Sequence, residues 1–590
     1  MRSETTYHRP RRAAALLLAA GVLAAPAASA QGTATDPRVG LRAGWTDAGQ
    51  AARNLELVSH VDRPAGFSNP QNMGDFNFAI SDMAFSGNHV FIGGYNGFQV
   101  WDVSNPAAPR LRKSLVCPGG QGDVSVHRNL LFVSVEEPRG RADCSLPPAG
   151  QTGGTSFRGV RIFDISNLDQ PRPVAHVQTC RGSHTHTLLV DPKDPANVYV
   201  YVAGTSPVRP ASEMEGCSGR APQEDPNTSY FRIEVIRVPL AAPHQAAIVS
   251  TPRIFANRET GNIAGLWQGG AHGPGTQQTA MTNQCHDITV YPELGLAGGA
   301  CAGNGILLDI RDPADPVRID EVSDPNFAYW HSATFNNDGS KVLFSDEWGG
   351  GTQARCRATD PMKWGANAMF TLGPDRKMKL AGYYKLPAPQ TAEENCVAHN
   401  GSLIPVPGRD IMVQAWYQGG ISVFDFTNPG RPVELAFFDR GPMSDRLVLG
   451  GFWSAYWYNG HIYGSEIGRG LDVFRLTPSE HLSANEIEAA NLVRMTEFNP
   501  QMQTRLTWPA HFAVARAYVD QLARGNAVTP PQITRIRRDL ARAEGMRAGT
   551  ARRTALTTLA ASVDRDAARS ADPAKMRLLS TTLRGLAGGR

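Results

Sequence analysis

The sequence predicts an all-β fold, a seven-bladed β-propeller, followed by a small C-terminal α-helical module. Three features point there. Hydrophobic runs of four to six residues, split by Gly, Pro, Asn and Asp, recur between residues 80 and 476, and such runs form strands. One pattern returns as Gly97-Phe-Gln-Val-Trp-Asp-Val-Ser-Asn-Pro106, Gly159-Val-Arg-Ile-Phe-Asp-Ile-Ser-Asn167 and Gly420-Ile-Ser-Val-Phe-Asp-Phe-Thr-Asn-Pro429. A second is led by histidine, at His184-Thr-His-Thr-Leu-Leu-Val190, His286-Asp-Ile-Thr-Val290, His331-Ser-Ala-Thr-Phe335 and His399-Asn-Gly-Ser-Leu403. A self-similar unit of about 40 residues is the signature of a propeller blade. Two stacked sandwiches would give no reason for seven matching units.

Residues 1–30 read as a secretory signal peptide. Arg9, Arg11 and Arg12 precede the apolar run 13–25, and Ala28-Ser-Ala30 is a small-residue cleavage site before Gln31. The run is short for a bilayer span, and no later segment has eighteen uninterrupted apolar residues, so no transmembrane segment is expected. Residues 31–79 form an N-terminal segment in which Leu55-Glu-Leu-Val58 is a candidate ring-closing strand. Residues 80–478 form the propeller, with units starting at Ser81, Gly122, His186, His286, His331, His399 and Trp453. The recurring Asp-x-Ser-Asn-Pro is a corner, because Asp and Ser bond nearby amides and Pro presets φ. Long insertions at 136–156, 204–229, 240–284 and 350–367 are expected to build the working face.

Residues 479–504 read as a linker and 505–590 as a basic helical module. Thr529 before Pro530 and Asp572 before Pro573 are helix starts, and Phe512, Ala515, Val519 and Leu522 recur at helical spacing. Residues 501–590 hold 16 Lys/Arg and 6 Asp/Glu, a net +10. The plain reading is a solvated face; the functional one is contact with cell-wall polymer or anionic lipid. The whole-chain charge of +4 gives no sign of a nucleic-acid partner.

The eight cysteines all follow the signal, which suggests disulfides in an oxidising compartment. Nearest-neighbour pairing gives Cys117–Cys144, Cys180–Cys217, Cys285–Cys301 and Cys356–Cys396. No Cys-x-x-Cys argues for cysteine metal ligation.

In a propeller the innermost strands line the channel, so equivalent positions converge. Four of the seven are His186, His286, His331 and His399, a set able to hold a transition metal. His184 lies two residues before His186 and shares its strand face, as an added ligand or an orienting partner. Asp82, Asp123 and Asp287 follow the ring position and are read as structural. Trp330, Trp453 and Glu347 are candidate pocket-wall residues. No Gly-x-Ser-x-Gly elbow and no phosphate loop occurs.

Forms such as Val-Arg-Ile-Phe-Asp-Ile-Ser over residues 80–476 resemble the LVIVD repeat family, exported bacterial proteins held to be β-propellers. The ring of histidines is similar to that of the selenium-binding propellers, which include copper-dependent methanethiol oxidases. These resemblances imply a secreted or envelope-associated protein with copper favoured over zinc or iron. Three functions follow as expectations: oxidation of a small thiol or other reduced substrate, hydrolysis at a zinc-like centre with Glu347 as base, or non-enzymatic binding of a protein or glycan at the cell surface.

Overall fold

A computed structural model describes residues 36–146 and 156–589. The signal-peptide reading of 1–30 and part of the 136–156 insertion lie outside the described residues.

The propeller is confirmed, with seven blades set around a channel. The inner strands are Ile80–Ser86, Val124–His127, Thr185–Leu189, Ile288–Tyr291, Trp330–Phe335, Asn400–Ile404 and Phe452–Tyr458. Each pairs antiparallel with the next strand of its own blade, and blades six and seven are further joined by a parallel pairing, Asn400 opposite Ser454. The expected closure is present. Leu55–Asp62 forms the outer strand of blade seven, Leu55 opposite Leu476 and Asp62 opposite Gly470. The ring is therefore fastened by the chain's own N-terminal segment, which also removes an exposed strand edge.

Two local rules explain the repeated unit. The third strands of blades one, two and seven begin at Gly97, Gly159 and Gly470, with φ of +131°, +148° and +134°. A Cβ there would lie 2.0–2.1 Å from the carbonyl oxygens of Leu115, Val177 and Val61, so only glycine lets the fourth strand pair so closely. At the other end, Asp102, Asp164 and Asp425 accept the amides of Ser104, Ser166 and Thr427 at 2.7–2.9 Å, closing the corner as Asx turns. Hydrogen bonding to Ser104 pulls the Asp102 carboxyl down to about 2. All four disulfides join the nearest-neighbour pairs.

The stretch after blade seven is built in rather than spaced out. Helix α1 spans Ala484–Ala490, earlier than the 505 boundary read from composition, and is followed by α2 (Phe512–Arg524), α3 (Pro530–Glu544), α4 (Thr550–Ala567) and α5 (Pro573–Gly588). These share a core of Leu540, Leu556, Leu579, Leu583 and their neighbours. Between α1 and α2, residues 497–506 cross the floor of the ring. Asn499 brackets the amide and carbonyl of Val126, and Gln503 does the same to Phe335. Gln501 reaches Asp82 at 3.2 Å, while its main-chain oxygen takes the amide of Val290. These contacts lie toward the C-terminal ends of the inner strands, so the channel is shut on that side. None of the helices among the described residues is long and apolar enough to cross a membrane.

Candidate metal centre

The open end of the channel leads into a cavity of about 690 Å³. His184, His286, His331 and His399 line it together with Glu347, Tyr417 and Trp453. His184, His286 and His399 occupy equivalent places, because their amides bond the carbonyls of Ala203, Ala300 and Ala415 in the neighbouring second strands. Parts of three long insertions, at Thr205, Gln278–Ala280 and Gly350–Thr352, reach the same cavity.

His186 is not part of this group. It points toward blade two, where Nδ1 meets Ser134 Oγ at 2.8 Å and Asp123 Oδ2 at 3.2 Å. Burial drives its pKa down to about 3. The ring position of blade three is His184, two residues earlier than the sequence alignment put it. The reason is the start of the strand at Thr185, which leaves His184 at the channel mouth. Trp330 is also displaced from its expected place. It is fully buried in the blade core against Phe327 and Phe344, with ring centroids at 4.6 and 5.1 Å. Trp453 and Glu347 do face the cavity.

Three of the four imidazoles are oriented through Nδ1. His184 Nδ1 donates to Glu136 Oε2 at 2.6 Å, and His286 Nδ1 to Asp287 Oδ1 at 3.0 Å. His399 Nδ1 donates to the carbonyl of Trp453. A carboxylate or carbonyl on Nδ1 makes that nitrogen the proton carrier and leaves Nε2 as a bare lone pair. Yet His184 Nε2 and His286 Nε2 stand only 2.7 Å apart. Two lone pairs at that distance need a cation between them, a proton or a metal. Tetrahedral ligand nitrogens about 2.0–2.1 Å from a shared ion sit about 3.3 Å apart, so the pair as it stands is at proton-sharing distance and a metal would spread it slightly. His331 is the extreme case: it is fully buried and neither ring nitrogen has a hydrogen-bond partner.

Electrostatics favour uncharged rings. Burial lowers His286 and His331 well below the usual histidine range, and lowers His399 to about 3. For His184 burial also pulls down, but the charge and hydrogen bond of Glu136 prevail and the net shift is upward. That fits a proton held against His286 when nothing else is there. Glu347 bridges the far side, with Oε1 3.8 Å from His399 Nε2 and Oε2 3.8 Å from His331 Nε2. Burial raises it to about 7 although the Tyr417 hydroxyl donates to Oε1 at 2.6 Å. Two triads, His331–Glu347–His399 and His286–Asp287–His331, have potential ligand atoms within 4.8 Å of one another. The buried cluster is a candidate metal-binding site inside the propeller.

Glu136 and Tyr417 escaped the sequence reading. A signal for Glu136 exists: it follows the second strand of blade two, Leu130–Val135, as Glu347 follows that of blade five, Lys341–Asp346. Tyr417 comes just beyond the second strand of blade six, with φ of +53°.

Fold and site together define an all-β propeller with a buried polyhistidine centre in a blind channel. Comparison with known proteins adds a repeat type: the LVIVD repeat model matches residues 80–116, which is blade one. No curated protein matches the sequence. Among solved structures, the periplasmic gluconolactonase PpgL of Pseudomonas aeruginosa is similar at 11% identity and TM-score 0.41, covering 65% of this chain and 89% of that one. Hydrazine synthase of Kuenenia stuttgartiensis is similar at 11% identity and TM-score 0.39, covering 66% and 93%.

Proposed function

We propose that this chain is an exported protein whose cavity histidines, His184, His286, His331 and His399, would hold a transition metal ion, and that the loaded centre oxidises a small molecule. The observation that carries the reading is the facing pair of Nε2 lone pairs, His184 and His286, beside a fully buried His331 with no partner. Imidazole donors suit copper, zinc, iron and nickel, and affinity among divalent ions peaks at copper. Copper heads that order and is the ion we propose; when bound it would supply one-electron chemistry with oxygen. Glu136, Asp287 and the Trp453 carbonyl orient three of the rings, and Glu347 would take a proton from a substrate hydroxyl or thiol. Four disulfides agree with an oxidising compartment, as the signal-like N-terminus does.

The test is elemental analysis of the purified protein beside a variant with His184, His286, His331 and His399 all changed to alanine. The expected result is about one copper per chain in the native protein and none in the variant, with substrate-dependent oxygen uptake only in the former. A native protein that takes up neither copper, zinc nor iron overturns the metal reading. Bound metal without oxygen uptake for any small thiol or phenol overturns the oxidase.

A further inference from the structure

The walls of the cavity carry information that the histidines do not. Among the described residues no lysine or arginine lines it, whereas Glu347 does. In the metal-free cavity an anionic ligand would meet no lysine or arginine and would lie close to a carboxylate. The wall also carries five aromatic side chains, Phe76, Tyr95, Tyr329, Tyr417 and Trp453, among uncharged polar ones such as Gln121 and Asn395. Phe76 and Tyr95 pack at 4.5 Å, and the Tyr417 ring lies 4.4 Å from that of His399. The volume, about 690 Å³, is that of a small-molecule site.

One polar atom in this wall is left over. Trp453 is 7% exposed, and its indole Nε1–H has no hydrogen-bond partner. A buried N–H without an acceptor is costly, and this one belongs to a residue that faces the cavity. Glu347 offers the complementary acceptor, with Oε1 taken by Tyr417 and Oε2 still 3.8 Å from its nearest imidazole nitrogen. A hydroxyl both accepts and donates, so a single ligand oxygen can take the indole N–H and give its proton to the carboxylate.

We infer that the cavity selects an uncharged aromatic alcohol of the phenol class, with its ring inside the aromatic wall and its hydroxyl between Trp453 Nε1 and Glu347. This deepens the oxidase reading and rests on it for turnover, but binding can be measured apart from metal.

The experiment is calorimetric titration of the full-length protein, metal-free and copper-loaded, with 4-methylphenol, 4-methylbenzoate and toluene. In the metal-free protein 4-methylphenol should bind at least about tenfold tighter than 4-methylbenzoate, since like charges in a desolvated site are strongly disfavoured. It should also bind about fivefold tighter than toluene, the worth of one net hydrogen bond. Trp453→Phe keeps an aromatic ring and the main-chain carbonyl on His399; it should erase the advantage over toluene while changing toluene binding itself far less. Benzoate binding as tight as the phenol, or a phenol affinity indifferent to Trp453→Phe, overturns the inference. A protein that binds the phenol but no metal sinks the metal centre and leaves the ligand assignment standing. One that takes up copper but does not discriminate among the probes does the reverse.

Discussion

Replacing His331 by leucine should stabilise the metal-free protein while abolishing its metal uptake. The imidazole is fully buried and both ring nitrogens lack partners. An unmade hydrogen bond at a buried polar group costs about 1–3 kcal/mol. Leucine is close in volume and has nothing to satisfy, so removing both groups, with some relaxation of the site, should return about 2 kcal/mol. Unfolding entropy is about 2 cal/mol/K per residue, so a propeller of roughly 400 residues converts that into a rise in Tm of about 2–3 °C. Metal reverses the order. An ion present at about 100 times its Kd adds about 2.7 kcal/mol to the native protein and nothing to His331→Leu. Thermal unfolding followed by calorimetry, with chelator and then with copper, should therefore show the two curves exchange places. A metal-free His331→Leu protein less stable than the native one would refute the reasoning, because it would mean the imidazole already has favourable partners in the empty site.

The other predictions test the surroundings. Glu136→Gln removes the carboxylate that holds His184 Nδ1 and should weaken metal binding about 10–100-fold in a chelator competition, with the fold intact by circular dichroism. Changing Cys285 and Cys301 to alanine opens a loop of 16 residues next to His286 and should lower stability by about 3 kcal/mol in chemical denaturation. Gln503→Ala strips both the amide and the carbonyl of Phe335 of their floor partner, at 2.7 and 3.0 Å, and should cost about 1–2 kcal/mol in the same assay. His60→Gln breaks the bond from the ring-closing strand to Asp472, 2.6 Å long, which raises the histidine's pKa. A raised pKa stabilises fully below the unfolded value near 6.5 and is lost as pH climbs through the folded one, while the lowered Asp472 adds stability only above the unfolded carboxylate range. The deficit of His60→Gln should thus be about 1 kcal/mol at pH 5.5, after allowing for a side chain 31% exposed, and fade by pH 8.5.

Much of the architecture was legible because a propeller repeats itself. Seven hydrophobic triplets, the Gly that opens a third strand and the Asp-x-Ser corner each answer a local backbone demand, and local demands leave marks in sequence. The even cysteines were legible for a related reason, since each bridge closes within or beside one blade. The floor was not. Asn499, Gln501 and Gln503 act across more than a hundred residues, and three polar side chains at alternate positions in a segment without strand patterning look like linker.

The error at blade three is the more instructive. His184 and His186 share a strand face by spacing alone, so periodicity cannot decide which one enters the ring. A longer alignment can. Counting three residues on from His184, His286, His331 and His399 reaches Thr187, Thr289, Thr334 and Ser402, a hydroxyl in every case. The structure gives this register a physical cause. Thr187 donates to the carbonyl of Ile288, Thr289 donates to that of Ala333 at 2.7 Å, and Ser402 accepts the amide of Trp457 at 2.9 Å. These three hydroxyls stitch their inner strands to that of the next blade. Starting from His186, the same count lands on Leu189, which has no hydroxyl to offer. The hydroxyl three residues on thus marks which histidine faces the axis. His186, freed from the ring, fills a buried site between Ser134 and Asp123. Metal uptake should accordingly survive His186→Leu and fail in His184→Leu. The opposite result would restore the spacing argument and remove the hydroxyl register as the determinant of the site.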